Sequence, residues 1–415
     1  MTTANESQSP PAAAKKKRVN LRTPEVMERV QAEVQSHYRS EVVEKIRAQG
    51  GAITCNGTSV RLAKEFGFCY GVERAIDLAY AARRVFKDER IFILGEIIHN
   101  PEVNTQIRSM GIRNLIGDDA EASLDELRPE DVVIVPAFGA EKETVEFIKR
   151  IGCQIVDTTC GDVMSVWKRV RQNARDLATS IIHGKADHEE TRATASHALG
   201  RDGAGHYLVV LNLEETDFVC DYIVNGGDKQ AFLERFKGAM SPGFDPELHL
   251  QTVGVANQTT MMRGETEEVQ RRIQTAIARR DGAMGTANYR FFDTICGATQ
   301  ERQDALSDML ELQMDMLIVV GGYNSSNTTH LAEMGEGKLP TYFIRNAERM
   351  ASTERITHFD IHLKREVDDT GWLPDKPHLV AGVTAGASCP NNLIEDTILR
   401  LFELRGVSRQ QLLDC

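Results

Sequence analysis

The sequence predicts an α/β protein of three related lobes around a pseudo-threefold axis, preceded by a helical arm. Two observations carry this expectation. Short Val/Ile-rich runs alternate with stretches of helical spacing from Cys69 onward, the pattern of parallel sheets with crossover helices. Three cysteines also sit in related contexts: Cys69 in Phe-Gly-Phe-Cys-Tyr-Gly (66–71), Cys160 in Asp-Thr-Thr-Cys-Gly (157–161) and Cys296 in Asp-Thr-Ile-Cys-Gly (293–297). Each follows a β-rich run or a glycine-containing turn and precedes a helix, so the alternation falls into three rounds, each opened by an equivalent cysteine. The expected division is an arm over 1–59 and lobes over 60–159, 160–295 and 296–415.

The elements follow in order. Residues 1–20 are rich in Ser, Pro and Ala, carry the cluster Lys15-Lys16-Lys17-Arg18, and read as disordered. A plastid-type transit peptide is the competing reading, weakened by the absence of an amphipathic Arg pattern. A helix then begins with Thr23 as cap, Pro24 at the first position and Val26, Val30 and Val34 on one face. This arm is expected to pack on the body or on a second subunit, which leaves a homodimer open. In the first round, Val72, Ile76 and Ala79 mark a helix face, and a strand is expected over 91–98. Asn100 caps the next helix, Pro101 opens it and Gly111 ends it. The strand 132–135 and a helix near 141–150 lead to the strand that delivers Cys160. The second round has a helix around 164–177, the strand 180–183, a less regular stretch to about 250, the strand 252–256 and a helix near 265–279. The third has a helix at 299–314, the strand 316–320, a long middle, the strand 378–383 and a final helix over 391–404.

Composition sets the class. The chain has 415 residues, 41% hydrophobic and 27% charged, values of a globular protein with several lobes. A net charge of −12 argues against a general nucleic-acid or anionic-membrane binder. No apolar run approaches the roughly 18–20 residues of a membrane span, and no secretory pattern opens the chain. The 8 cysteines in so long a chain do not make a disulfide framework. Cys55, Cys153, Cys220, Cys389 and Cys415 lack the shared flanks and read as buried or incidental thiols in a reducing cytosol.

A thiol at a helix N-terminus lies where backbone N–H groups favour the thiolate, the form that binds metal. The three motif cysteines are too far apart in sequence for a local finger, so they act together only if they meet in space. If they meet, they bring three thiolates and no evident fourth, the ligand set of a cubane iron–sulfur cluster with one open iron. A structural zinc ribbon would need C-x₂-C pairs, which are absent here. Radical S-adenosylmethionine enzymes crowd their cysteines into one loop, unlike this chain.

In parallel α/β sheets ligands bind beyond the carboxyl ends of the strands. Those loops are Glu96–Asn100, Pro136–Gly139, His183–Thr191, Asn257–Thr260, Gly321–Asn327 and Thr384–Ser388, two per round. They are uniform in chemistry: hydroxyls, amides, histidines, glycines and a prominent glutamate. That mixture suits a phosphate or diphosphate with a reacting hydroxyl nearby. Asn324–Asn327 and Thr384–Ser388 each follow an apolar strand and precede a helix, offering free N–H groups to an anion. A Ser or Asn in such a place also serves simply to cap its helix. His188-Glu189-Glu190 joins an imidazole and an acid in one loop. A glutamate in a dry pocket has a raised pKa and can deliver a proton, whereas at a solvated helix start it would only complement the dipole.

These residues resemble the 4-hydroxy-3-methylbut-2-enyl diphosphate reductases, which close the non-mevalonate isoprenoid pathway. The likeness runs from about Val60 to Leu404 through Gly-Phe-Cys-Tyr-Gly-Val-Glu-Arg-Ala, Ile-Ile-His-Asn-Pro, His-Glu-Glu-Thr, Gln-Thr-Thr, Asn-Ser-Ser-Asn and Val-Thr-Ala-Gly-Ala-Ser. The resemblance implies a trefoil of three α/β lobes around a central [4Fe–4S] cluster. Cys69, Cys160 and Cys296 would ligate three irons, and the fourth would take the substrate's C4 hydroxyl as a Lewis acid. His99, His188, Ser325, Ser326, Asn327 and Ser388 would hold the diphosphate. Glu190 would feed protons and Thr259 would position the hydroxyl. Two electrons and two protons would give isopentenyl diphosphate, dimethylallyl diphosphate and water, the electrons coming from ferredoxin or flavodoxin. The implied setting is the cytoplasm, or the plastid stroma in a eukaryote.

The chain departs from the bacterial pattern in places. An Ala-His-Gly loop, whose histidine helps to hold the diphosphate, is here Ala137-Phe138-Gly139, so Phe138 inherits no role. Gly161 stands where proline is usual after the middle cysteine, and the arm and the stretch near 200–250 are extra. Phe138, the Glu-Thr after His188-Glu189 and the arm look like the cyanobacterial and plastid branch. An open-iron lyase or dehydratase of the quinolinate-synthase type would also use dispersed cysteines, but it predicts arginine-rich loops for carboxylates. An iron–sulfur sensor would need a DNA- or partner-binding module, and none is evident.

Overall fold

The computed structural model describes residues 19–282, 287–292 and 294–415. The Lys15–Arg18 cluster and Asp293 of the third cysteine motif lie outside them. Pro24 opens α1 (Pro24–Tyr38) as expected. Thr23 stands extended at the cap position, but its side chain makes no capping bond. Val30 and Tyr38 are buried against the first helix of the body, with Val26 and Val34 half-buried beside them. Helix α2 (Glu41–Ala48) is capped by Ser40 and buries Val42, Val43 and Ile46 in a second core that includes Ile394 and Ile398 of the last long helix. The arm therefore packs on the body.

A hairpin, β1 (Ala52–Cys55) and β2 (Thr58–Leu62), precedes the first helix, α3 (Tyr70–Val85). Next come β3 (Ile91–Ile93), α4 (Pro101–Ser109), β4 (Ile112–Asn114), β5 (Val132–Val135), α5 (Lys142–Ile151) and β6 (Gln154–Asp157). The second round comprises α6 (Gly161–Arg175), β7 (Thr179–His183), α7 (Glu189–Ala198), β8 (Tyr207–Val210), α8 (Leu213–Asn225), α9 (Lys229–Arg235), α10 (Pro246–His249), β9 (Val253–Asn257), α11 (Arg263–Asp281) and β10 (Tyr289–Phe291). The third comprises α12 (Gly297–Leu310), β11 (Met316–Val320), α13 (Ser326–Glu336), β12 (Thr341–Ile344), the hairpin β13 (Arg355–Asp360) and β14 (Arg365–Thr370), β15 (Leu379–Ala385), α14 (Asn391–Leu404) and α15 (Arg409–Asp414). The extra stretch near 200–250 is thus ordered, and it supplies Phe232, Phe236 and Phe244 to a core shared with β7, β9 and α11.

The three sheets share one plan. Their orders are β4-β3-β5-β6, β8-β7-β9-β10 and β12-β11-β15-β2, with all of these pairings parallel, and β1 adds an antiparallel edge to the third. In each sheet the fourth strand (β6, β10 or β2) is the one that leads to a cysteine. The third sheet borrows that strand from the N-terminal side of the chain. The hairpin of residues 52–62 therefore belongs structurally with the third sheet rather than with the first lobe. Central strands such as β11 are buried along their whole length, as parallel strands covered on both faces must be.

Two local expectations are corrected. The strand expected over 91–98 ends at Ile93. Gly95 turns the chain at φ +86°, and the Asn104 side chain then accepts from Ile97 N (3.1 Å) and donates to Ile98 O (2.9 Å), replacing the ladder. Cys55 and Cys415 are not incidental thiols: a disulfide joins them, 360 residues apart in sequence, tying the final helix to the edge hairpin. Cys220 and Cys389 remain free thiols, as expected.

Ile318, fully buried at the centre of the third sheet, is a direct test of this packing. Ile318→Ala should cost about 2–5 kcal/mol in a urea unfolding curve, the range for truncating a buried aliphatic side chain, with an unchanged far-UV circular dichroism spectrum.

Candidate active site

The shared sheet plan places three kinds of strand-end feature around the threefold axis. The first is the cysteines, each at the N-cap of a helix: Cys69 before α3, Cys160 before α6 and Cys296 before α12. Each donates its backbone N–H to a loop that follows the third strand of a sheet. Cys69 N reaches Ala387 O (3.1 Å), Cys160 N reaches Ala137 O (2.8 Å) and Cys296 N reaches Thr259 O (3.3 Å). The cysteines and the loops expected to bind ligand are therefore stitched together by main-chain bonds.

The sulfurs converge. A Cβ built on Gly71 would lie 2.6 Å from Cys160 Sγ and 3.8 Å from Cys69 Sγ, so glycine is what leaves those two thiols room at one point. Cys296 lines the same cavity of about 110 Å³. All three are free thiols. Burial pushes Cys296 up to about 12 and raises Cys160, with Asp162 and Cys69 adding like charge to both. Three soft donors meeting in one pocket fit the ligand set of an iron–sulfur cluster.

The second feature is the set of loops after the inner strands β3, β7 and β11, each entering a helix. On the first, His99 precedes Asn100, whose side chain caps α4 by accepting from Val103 N (3.2 Å). His99 Nδ1 sits 3.0 Å from Glu96 Oε2, and the Phe138 ring lies parallel to the imidazole at 4.6 Å. Phe138 thus serves as a stacking wall for His99 where the bacterial pattern has a third histidine. On the second loop, His188 caps α7, accepting from Glu190 N (3.2 Å) at Nδ1. That bond leaves the proton of the neutral ring on Nε2, which is buried and has no partner among the described residues. Burial, then the neighbouring charges of His99, Lys185 and Arg192, hold His188 well below the ordinary histidine range, so it is neutral. On the third loop, Ser325 caps α13, Ser326 Oγ accepts from Gln258 Nε2 (3.1 Å), and Asn327 Oδ1 accepts from Ala387 N (2.9 Å). That leaves Asn327 Nδ2 buried and unpartnered, again among the described residues.

The third feature is the acid. Glu190 is 3% exposed, and burial raises its carboxyl to about 7 against the bonds it accepts from Thr259. Those are Thr259 N to Oε1 (2.6 Å) and Thr259 Oγ1 to Oε2 (3.0 Å). Glu190 lies in the first turn of α7, yet it is buried rather than solvated as a simple helix-start acid would be. Ser388 donates from Oγ to His99 O (3.0 Å). His99, His188, Glu190, Thr259, Ser325, Ser326, Asn327 and Ser388 all line the cavity with the three cysteines.

Several contributors had not been singled out. Asp162, Thr260 and Thr299 also line the cavity, and Gln258 supports it from behind by donating to Ser326 Oγ and Thr260 Oγ1. Glu96 and Asn324 bridge two lobes, Asn324 Nδ2 donating to Glu96 Oε2 (2.7 Å). Gly322 lets those lobes close, since a Cβ there would overlap His99 O. All but Asp162 and Thr299 lie in strand-end loops, which was their one signal.

Fold and site together define a three-sheet α/β protein in which three cysteine thiols share one cavity with a buried glutamate and unpartnered polar donors. The model of the family described as LytB protein matches residues 60–402, and the chain belongs to that family. It is 47% identical over 384 residues to the 4-hydroxy-3-methylbut-2-enyl diphosphate reductase of Gloeobacter violaceus, covering 91% of this chain and 90% of that one. It is 45% identical over 383 residues to the protein of that name from Thermosynechococcus vestitus, covering 92% and 93%. Among solved structures it is similar to one titled as (E)-4-hydroxy-3-methyl-but-2-enyl diphosphate reductase, the terminal enzyme of the non-mevalonate pathway. That likeness has a TM-score of 0.50 and 25% identity, over 83% of this chain and 99% of that one. The Plasmodium falciparum reductase structure shares the fold, with a TM-score of 0.59, 20% identity and coverage of 82% and 86%. No helix among the described residues is long and apolar enough to cross a membrane.

The His188 environment gives a direct spectroscopic expectation. Selective ¹⁵N labelling should show its ring as the Nε2–H tautomer with no titration between about pH 6 and 8, because a depressed pKa leaves the ring neutral until the solution is acidic. A ring that gains a proton in that window would contradict the geometry.

Proposed function

We propose that the chain reduces (E)-4-hydroxy-3-methylbut-2-enyl diphosphate to isopentenyl and dimethylallyl diphosphate. The C4–O bond breaks and a C–H bond forms, consuming two electrons and two protons and releasing water. The observation that carries this reading is one cavity holding the three cysteines, a protonated-range glutamate and unpartnered donors at its far wall. Cys69, Cys160 and Cys296 would hold a [4Fe–4S] cluster, which when bound supplies single electrons and a Lewis-acidic iron.

The remaining work falls to the side chains. His188 donates from Nε2 while neutral, and Asn327 donates from Nδ2. With the N–H groups opening α7 and α13, they neutralise a diphosphate largely by dipoles rather than by full charges. His99, stacked on Phe138 and held by Glu96 at Nδ1, presents Nε2 to the same space. Ser325, Ser326 and Ser388 add hydroxyls. At neutral pH Glu190 is poised between its two forms. When protonated at Oε2 it donates to Thr259 Oγ1 along the 3.0 Å contact, and the threonine proton is then free for the leaving hydroxyl. The buried walls exclude the bulk water that would otherwise protonate the allylic fragment at random. Electrons would come from a carrier of the ferredoxin or flavodoxin class, in the cytoplasm or in the plastid stroma of a eukaryote.

Changing Cys69, Cys160 or Cys296 to Ser should lower iron content and abolish turnover in anaerobically purified protein. Cys55→Ser should remove the terminal staple and leave the iron unchanged. Loss of iron in Cys55→Ser alone, with the three motif variants intact, would refute the assignment.

Glu190 carries a pH expectation as well. Its raised pKa means that the proton-donating form is present below about pH 7 and is lost as pH rises through that value. Turnover should therefore fall on an alkaline limb near pH 7. Glu190→Gln should bind substrate, lose that limb and turn over about 10²–10⁴-fold more slowly.

A further inference from the structure

One face of α6 is not used by the chemistry above. Cys160 stands at its N-cap, and Met164, Lys168, Arg171 and Arg175 follow at steps of four, three and four residues, which puts them in one stripe down the helix. All four are exposed. By helix rise, Met164 lies about 6 Å and Lys168 about 12 Å along the axis from the cysteine.

The stripe borders a cleft of about 1160 Å³ whose opposite walls add Lys142, Lys149 and Arg201. These six cations outnumber the three carboxylates that line the cleft, Glu146, Asp157 and Asp202. None of the six has an ion-pair partner among the described residues, although most other surface arginines are paired. In a chain of net charge −12 this is a concentrated patch of opposite sign. Two apolar side chains sit among the charges. Met164 is 40% exposed, and Leu177 is 85% exposed, held there at φ +55° in the left-handed region that a branched side chain rarely adopts. Trp167 also lines the cleft; it is buried, its ring tilted against His197 with centroids 4.1 Å apart, and it packs in one cluster with Cys160.

Resting on the reduction proposed above, we propose that this face docks an acidic one-electron carrier protein, which delivers its electron at the Cys160 end of α6 across Trp167. Each visit oxidises the carrier by one electron and reduces the cysteine-held centre by one, with no bond made or broken. Unpaired cations steer an acidic partner to a single face of an otherwise acidic protein. Exposed Met and Leu beside Arg are the composition of a protein interface, and a small anion would have no use for that apolar rim.

The test pairs Lys168→Glu/Arg175→Glu with a control of equal charge change, Lys237→Glu/Lys338→Glu, at exposed sites of other elements. An acidic [2Fe–2S] ferredoxin is the probe, with binding measured by titration calorimetry and turnover measured with reduced ferredoxin or reduced methyl viologen. The stripe variant should bind ferredoxin about tenfold or more weakly, with a flatter salt dependence. Its ferredoxin-driven kcat/KM should fall in parallel, while viologen-driven turnover stays within about twofold of the parent protein. Leu177→Ser should also weaken binding without altering the salt dependence. Unchanged ferredoxin affinity in the stripe variant, as expected of a cleft serving a small anion, would overturn the proposal, as would an equal loss in the control pair. Absence of viologen-driven turnover in the parent protein would count against the proposed reduction, while the binding titration would still decide the docking face.

Discussion

Three sulfurs carried by distant parts of the chain have to reach one point, and much of the architecture serves that convergence. Each cysteine caps a helix, each is preceded by the fourth strand of the shared sheet plan, and each donates its N–H to a loop following another strand. A shift in any one sheet would move a sulfur and a ligand-binding loop together. Gly71 marks how little tolerance exists, since even a methyl group would collide with Cys160 Sγ. The buried thiols, being disfavoured as anions, give the apo centre no electrostatic reason to close. Main-chain bonds hold the shape instead, so the centre is preorganised.

Desolvation is the second common cause. The same dry interior that lifts Glu190 toward neutrality pushes His188 down, and both shifts leave the pocket less charged than its residue types suggest. A pocket of the kind proposed above, taking a polyanion, would ordinarily be expected to collect lysines and arginines. Here neutral donors and helix ends dominate, and Phe138 occupies a place where another histidine would have added charge.

The alternation of strands and helices, the three cysteines and the six loops were legible because each has a local signature: a β-rich run, a turn, a cap. Asn100-Pro101, for instance, announces its helix and forms it. Relations between distant residues left no such mark. The Asn104 amide that ends the first strand early, the Glu96–Asn324 bridge and the Cys55–Cys415 disulfide each depend on a partner brought near only by the fold. Linear reading also attached the 52–62 hairpin to its neighbours in sequence, whereas its parallel partner is β15. The residues that line the cavity were recoverable because they sit at strand ends; their tautomers and supports were not.

That borrowed strand bears on how the chain is made. As synthesis proceeds from the N-terminus, the strands and helices of the first two sheets emerge complete and can fold behind the ribosome. β2 emerges before all of them, yet its seat between β1 and β15 does not exist until residues 379–385 have been translated. The hairpin must wait as an open edge through most of translation, and the Cys69 that follows it cannot be set in place earlier. Closing so long a loop is slow, and an unpaired strand is prone to wrong partners in the interval. Convergence of the cysteines is therefore bound to the last act of folding: the nascent protein can bring all three together only after nearly all of its length has left the ribosome.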